Sequence, residues 1–133
     1  MAEKKNQLLK ITLVLSAIIT LAYGVSYLFF PEFQIKMAGG EPILPGWIRW
    51  SGGLLIAIGI GSIMMYRNPV KQGIFVTSLC IGSLLVGLAN FYELLFQWDS
   101  SYNLLNTLIP AIVLTIMAVL FWISLKQSKE ILW

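Results

Sequence analysis

The sequence predicts an all-α membrane protein, an antiparallel four-helix transmembrane bundle with both termini in the cytoplasm. Hydrophobic residues make up 58% of the chain and charged residues only 11%. Four apolar stretches are each long enough to cross a bilayer, because the hydrocarbon core is about 30 Å thick and a helix rises about 1.5 Å per residue. They are Leu8–Phe30, Trp47–Tyr66, Ile74–Phe96 and Leu104–Leu125. The polar connections are short, so we expect residues 1–133 to form a single transmembrane domain.

The basic residues near the span ends predict the orientation. One set falls at the amino terminus, in the middle link and at the carboxy tail: Lys4, Lys5, Lys10, Arg67, Lys71, Lys126 and Lys129. Only Lys36 and Arg49 fall on the other side. Cytoplasmic segments carry an excess of Lys and Arg, so both termini are expected in the cytoplasm. We expect a multi-pass protein of a prokaryotic cytoplasmic membrane.

The first span begins after basic residues, as a signal peptide does. Its apolar run is longer than a typical signal-peptide core, however, and it ends in Tyr27–Pro31 rather than in small residues. We therefore expect a retained helix.

The connections and one proline distinguish the spans. In the Pro31–Gly46 connection, a short helical turn is predicted over Glu32–Met37. The link Arg67–Gly73 is a tight turn, which predicts that the second and third spans are neighbours. The last link, Gln97–Asn103, carries aromatic rings suited to the headgroup level. In the fourth span, Pro110 is either a tolerated proline near the helix start or a kink that widens a cavity.

Small residues spaced four apart predict where the helices approach one another. Helices in lipid associate through close contacts between small residues rather than by hydrophobic burial. The ladders are Ser16, Thr20 and Gly24 in the first span, Gly53, Ala57 and Gly61 in the second (with Gly52 and Gly59 alongside), and Ser78 with Gly82 and Ser83 with Gly87 in the third. The ladder of the second span predicts packing within the chain, with a homodimer seam as the alternative.

Several kinds of chemistry are excluded by composition. The chain has no His, the commonest general base and metal ligand, and a single cysteine, Cys80, which is most simply a packing residue. No Gly-rich phosphate loop and no pair of acids at metal-binding spacing occurs. We expect no catalytic residues, no metal, no cofactor and no nucleic-acid partner.

Polar residues inside the spans collect near the outer boundary, and the cytoplasmic half is expected to be almost purely apolar. The candidate ligand-binding residues are Tyr27, Arg49, Asn90, Glu93 and Asn106. One interpretation makes Arg49 and Glu93 interfacial residues joined in an ion pair between the second and third helices. The other brings all five side chains together in an outward-facing pocket for the headgroup of an amphiphile, since ionisable residues within a span mark functional sites.

The first half of the chain resembles the DoxX-like group of small four-helix membrane proteins. The resemblance lies in Tyr23–Glu32, where an aromatic-Pro-acid turn ends the first helix, in Arg49–Gly59, where an Arg precedes Gly, and in the Arg67–Pro69 turn. That group includes small subunits associated with quinol-oxidising complexes. The resemblance implies a four-helix bundle and a partner protein, and it carries no catalytic residues to transfer.

Three classes of function follow from these observations. The first is an accessory or binding protein that holds a lipid, a quinone or a similar amphiphile, with membrane lipids and a partner membrane protein or a second copy as its partners. The second is an oligomeric transporter or channel subunit. The third is a lipid-modifying enzyme that would use Glu93 as a general base and Arg49 to hold an anionic headgroup. The small size and the lack of catalytic groups favour the first.

Overall fold

The computed structural model describes residues 2–40, 45–97, 99–101 and 103–133, with side chains from residue 6 onward. All regular structure in these ranges is helical. The α-helices are α1 (Ala2–Phe29), α2 (Pro31–Ala38), α3 (Gly46–Arg67), α4 (Gly73–Tyr92), α5 (Leu104–Gln127) and α6 (Lys129–Leu132), and a π-helical turn over Glu93–Gln97 extends α4. Four helices, α1, α3, α4 with its π-helical extension, and α5, are long and apolar enough to cross a membrane.

The predicted spans are confirmed as helices. The largest difference is at α1, which begins at Ala2 rather than at Leu8, because the intervening Glu, Lys and Gln residues are good helix formers. The short turn predicted after the first span is α2. Proline at its first position suits a helix start, and Gly39 ends it in the left-handed conformation with φ 87°. Helix α5 runs continuously through Pro110.

The long helices pack mainly as two pairs, α1 with α3 and α4 with α5, and a smaller contact joins α1 to α5. The prediction that the tight link makes α3 and α4 neighbours is wrong over most of their length. They meet where the Phe75 ring of α4 lies beside Gly61 of α3. The reason is that α1 offers α3 a complementary row of small residues, so close backbone contact outweighs the short link.

Two contacts show that the start of α1 lies close to the ends of α3 and α5. The Lys10 ammonium lies 5.9 Å from the centre of the Tyr66 ring. The hydroxyls of Thr12 and Ser124 are 3.4 Å apart. These contacts bring the start of α1, the end of α3 and the end of α5 together, and we call this the terminal end of the bundle. The opposite end, which carries α2 and the 98–103 link, is the loop end.

The buried core lies between the middle of the bundle and the terminal end. Its members are Leu9, Leu13, Met65, Val76, Met117, Phe121 and Leu132. The last of these belongs to α6, which folds back so that the Lys71 N–H donates to the Ile131 carbonyl at 2.9 Å. The Trp133 ring then covers Gly73, where a Cβ would lie 2.5 Å from the ring. The carboxy terminus therefore closes the terminal end of the core.

Candidate functional site

Glycines allow the backbones of α1 and α3 to come into direct contact. A Cβ added at Gly52 would lie 2.6 Å from the Leu28 nitrogen and 2.8 Å from the Gly24 oxygen. At Gly59 an added Cβ would lie 2.9 Å from the Thr20 hydroxyl. The ladder predicted in the first span is confirmed, but in α3 the contact uses Gly52 and Gly59, whereas Gly53 has no neighbour within 4 Å of an added Cβ. In α4, Gly87 packs against Thr115 of α5 as predicted, but the prediction of a contact at Gly82 is wrong, because an added Cβ there meets no atom within 4 Å.

The terminal half of the bundle contains buried hydroxyl groups, so the prediction of an almost purely apolar half is wrong. Thr12, Ser16, Ser62 and Ser124 are all at least 96% buried. Ser16 and Ser62 join α1 to α3 with their hydroxyl oxygens 3.2 Å apart. The sequence gives a weak signal for such groups, because a hydroxyl in a helix can bond to its own helix. Ser62 does so, donating to the Ile58 carbonyl at 3.0 Å.

Three of the five candidate residues lie on the sides of their helices that face the core. Tyr27 follows the core residue Leu9 by about five turns, and Asn90 follows Val76 by about four. Asn106 precedes Met117, another core residue, by about three turns. All three side chains are half-buried. They continue the interior surface of the bundle into its loop half.

Local contacts hold two of these three residues, Tyr27 and Asn90. The Tyr27 ring meets the Tyr23 ring edge-on, with centroids 5.8 Å apart. The Asn90 amide donates to the Val86 carbonyl at 2.7 Å, and this bond leaves its side-chain oxygen available to accept. The half-buried loop half therefore presents a phenol and two amide groups, on three different helices.

The structure does not bring Arg49 and Glu93 together. Both side chains are exposed, and no ion pair joins these two described residues. Arg49 precedes the core residue Met65 by 16 positions, which places it about 160° around α3 from the core-facing side. Glu93 follows Phe75 by about five turns, so it lies on the side of α4 that faces α3. Glu93 thus borders the space between these helices, and Arg49 lies at the helix boundary elsewhere.

The space between α3 and α4 is open towards the loop end. On α4, an added Cβ at Gly82 would meet no atom within 4 Å, although Gly82 lies two turns from Phe75. On α3, Leu54 lies about two turns before Gly61 on the same side, and it is 53% exposed. The aromatic contact at Gly61 closes this gap on the terminal side. The sides of α3 and α4 at Leu54 and Gly82 are therefore uncovered, and we call the space between them the lateral opening.

At the loop end, a hydrogen bond joins α2 to the residue that precedes α5. The Asn103 N–H donates to the Ala38 carbonyl at 3.2 Å, which ties the end of α2 to the start of α5. Asn103 also caps α5 by accepting from the Leu105 N–H at 3.1 Å. In the same link the Ser101 N–H donates to Asp99 at 2.8 Å, and this bond lowers the pKa of the Asp99 carboxyl below its ordinary value. These bonds hold the segments at the loop end in place.

The described residues hold no group of three or more His, Cys, Asp or Glu side chains that could bind a metal. Cys80 donates its thiol to the Ala118 carbonyl at 3.4 Å, across the contact between α4 and α5. This bond agrees with the interpretation of Cys80 as a packing residue. The arrangement offers hydrogen-bonding groups and apolar walls, which suit binding.

Comparison with known proteins gave no matching family model, no matching curated protein and no matching solved structure. The resemblance to the DoxX-like group stays a prediction.

Proposed function

We propose that the chain is a multi-pass membrane protein that binds an amphiphile, a lipid or a quinone, in the loop half of its bundle. The observation that carries the proposal is the sparse contact between α3 and α4, together with the half-buried positions of Tyr27, Asn90 and Asn106 in the loop half. Ligand sites in helical bundles lie between helices and combine apolar walls with a few polar groups. An apolar body would occupy the opening, and its headgroup would meet the phenol and amide groups.

The proposal includes an orientation. The four long helices cross the bilayer as an antiparallel bundle with both termini in the cytoplasm, so that the loop half lies in the outer leaflet. Contacts at the terminal end and the excess of basic residues near that end support this orientation. Glu93 would then stand at the edge of the opening near the outer headgroups, where a carboxylate remains hydrated.

Cysteine labelling tests the orientation. In a Cys80→Ala background, Glu3→Cys and Lys129→Cys should resist a membrane-impermeant maleimide added to intact cells. Glu41→Cys, at a position outside the described residues, should react. The reverse pattern would refute the orientation and place the opening in the other leaflet.

Binding is tested by native mass spectrometry of the full chain released from a mild detergent. The wild-type protein should retain an amphiphile of defined mass. Gly82→Leu should abolish retention, because the added side chain enters the opening without meeting an atom within 4 Å at its Cβ. The matched control is Gly53→Leu, since Gly53 has equally free space but lies about 80° around α3 from Gly61.

Two further variants test the polar groups. Asn90→Leu and Asn106→Leu keep side-chain size and remove the amides, so each should weaken retention while the far-ultraviolet circular dichroism remains helical. A wild-type protein that carries no amphiphile would refute the proposal. Equal retention by Gly82→Leu and Gly53→Leu would also refute it.

A further inference from the structure

A second feature lies on the outside of the bundle, where α1 and α3 form a continuous groove near the terminal end. Its inner part has a volume of about 220 Å³ and is lined by apolar side chains of α1, including Val14 and Leu21, and by Ile63 and Tyr66 of α3. Its outer part, about 330 Å³, shares Val14 and Tyr66 and adds Gln7 and Lys10. The two parts form one groove that is apolar at its inner end and polar at its mouth.

The position of the charge points to an anionic occupant. The Lys10 ammonium stands over the Tyr66 ring at 5.9 Å from its centre, and this cation–π contact holds the charge at the mouth of the groove. Lys10 is exposed, so its donors remain free for a phosphate. The Gln7 amide lines the same mouth and can add a hydrogen bond.

The length of the groove points to an acyl chain. Gln7 and Lys10 form the mouth of the groove, and from Lys10 to Leu21 its apolar part extends for about 16 Å along α1. That is about half of the roughly 30 Å hydrocarbon core, which is the depth of one leaflet. A transmembrane helix of a partner would need contact along the whole span, whereas one acyl chain ends at the midplane.

We propose that this groove is a binding site for one anionic phospholipid, whose phosphate sits at Lys10 and whose acyl chain lies along Val14 towards Leu21. The site lies outside the bundle, and the inference does not depend on the interior amphiphile site proposed above. Its leaflet is the one at the terminal end, where basic residues are in excess and anionic lipids are attracted.

The test is a native mass spectrometry titration of the full chain with phosphatidylglycerol and, in parallel, phosphatidylcholine. Phosphatidylglycerol should bind more tightly. Lys10→Gln should raise the apparent Kd of the first bound phosphatidylglycerol about fivefold, because one Lys near an anionic surface contributes about 1 kcal/mol. The matched control is Lys126→Gln, because Lys126 makes a similar cation–π contact at 4.9 Å from the Trp122 ring but does not line the groove.

The acyl chain is tested by filling the groove. Val14→Phe should abolish tight phosphatidylglycerol binding, and Val14 is exposed enough to accept the larger ring without disturbing the core. Val119→Phe, at an exposed valine of α5 away from the groove, should leave binding unchanged. Inorganic phosphate should not displace the lipid, since it has no chain to occupy the groove.

Three results would overturn the inference. Equal effects of Lys10→Gln and Lys126→Gln would mean general surface attraction rather than a site. Unchanged binding by Val14→Phe would mean that no chain enters the groove. Displacement of bound phosphatidylglycerol by inorganic phosphate would mean that the site recognises an anion and not a lipid. Loss of interior retention in Gly82→Leu with intact phosphatidylglycerol binding would show that the two sites are separate.

Discussion

The close approach of α1 and α3 makes a sharp prediction about two adjacent glycines. Gly52→Ala places a methyl group 2.6 Å from the Leu28 nitrogen and 2.8 Å from the Gly24 oxygen. Both are backbone atoms, which cannot rotate away as a flexible side chain could. The helices must separate, and overpacking of this kind costs about 1–3 kcal/mol. Gly53→Ala places the same methyl group where no atom lies within 4 Å.

Comparison of these two variants removes the effect of helix propensity. Alanine favours a helix over glycine by about 1 kcal/mol, and that gain applies to both positions. The free energy of unfolding of Gly52→Ala should therefore lie below that of Gly53→Ala by about 1–3 kcal/mol. Reversible unfolding in mixed micelles, followed by far-ultraviolet circular dichroism as the fraction of denaturing detergent rises, measures this difference. Equal unfolding free energies would refute the backbone contact between α1 and α3.

Two other predictions concern the terminal half. Ser16→Ala and Ser62→Ala should each lower the free energy of unfolding by about 0.6 kcal/mol, because each removes one hydroxyl of the pair. The double variant should lose no more unfolding free energy than either single variant. Strict additivity in this double-mutant cycle would show that the hydroxyls do not interact. Leu132→Ala should lower the free energy of unfolding by about 2–4 kcal/mol, because Leu132 is 1% exposed. Trp133→Ala should lower it less, because Trp133 is 61% exposed. Equal losses in the same unfolding assay would contradict the closure of the core by α6.

The spans could be predicted from the sequence because the bilayer imposes a length and an apolar composition on each. Which helices pack against one another could not be predicted from the sequence. In a soluble bundle the apolar stripe marks the buried face, but in lipid the exposed face is equally apolar, as Leu54 and Val86 illustrate. Small residues remain as the main signal, and they mark several faces at once. Gly52 and Gly53 are adjacent and chemically identical, yet only Gly52 contacts α1.

The candidate site could be predicted in part. Counting residues from the ends of the predicted spans places Asn90 and Asn106 near the loop end, and the structure shows that both are half-buried. Spacing along a helix carries no information on its rotation relative to the other helices. The sequence therefore groups Arg49 with Asn90 and Asn106, although Arg49 lies about 160° around α3 from the core residue Met65. The prediction of an Arg49–Glu93 pair assumed that a short link makes α3 and α4 neighbours throughout. That assumption fails when another helix offers closer backbone contact.

The contacts that stabilise the bundle lie within the two helix pairs, whereas the proposed ligand site lies between the pairs. Small residues join each helix pair within its own contact, as Gly24 meets Gly52 and Gly87 meets Thr115. The buried apolar cluster that joins the two pairs lies between the middle and the terminal end, and few contacts join α3 to α4. In the proposed function, a ligand enters between α3 and α4 in the loop half and leaves the contacts within each pair intact. It follows that variants of the terminal core should lose stability and binding together, whereas Gly82→Leu should lose binding alone.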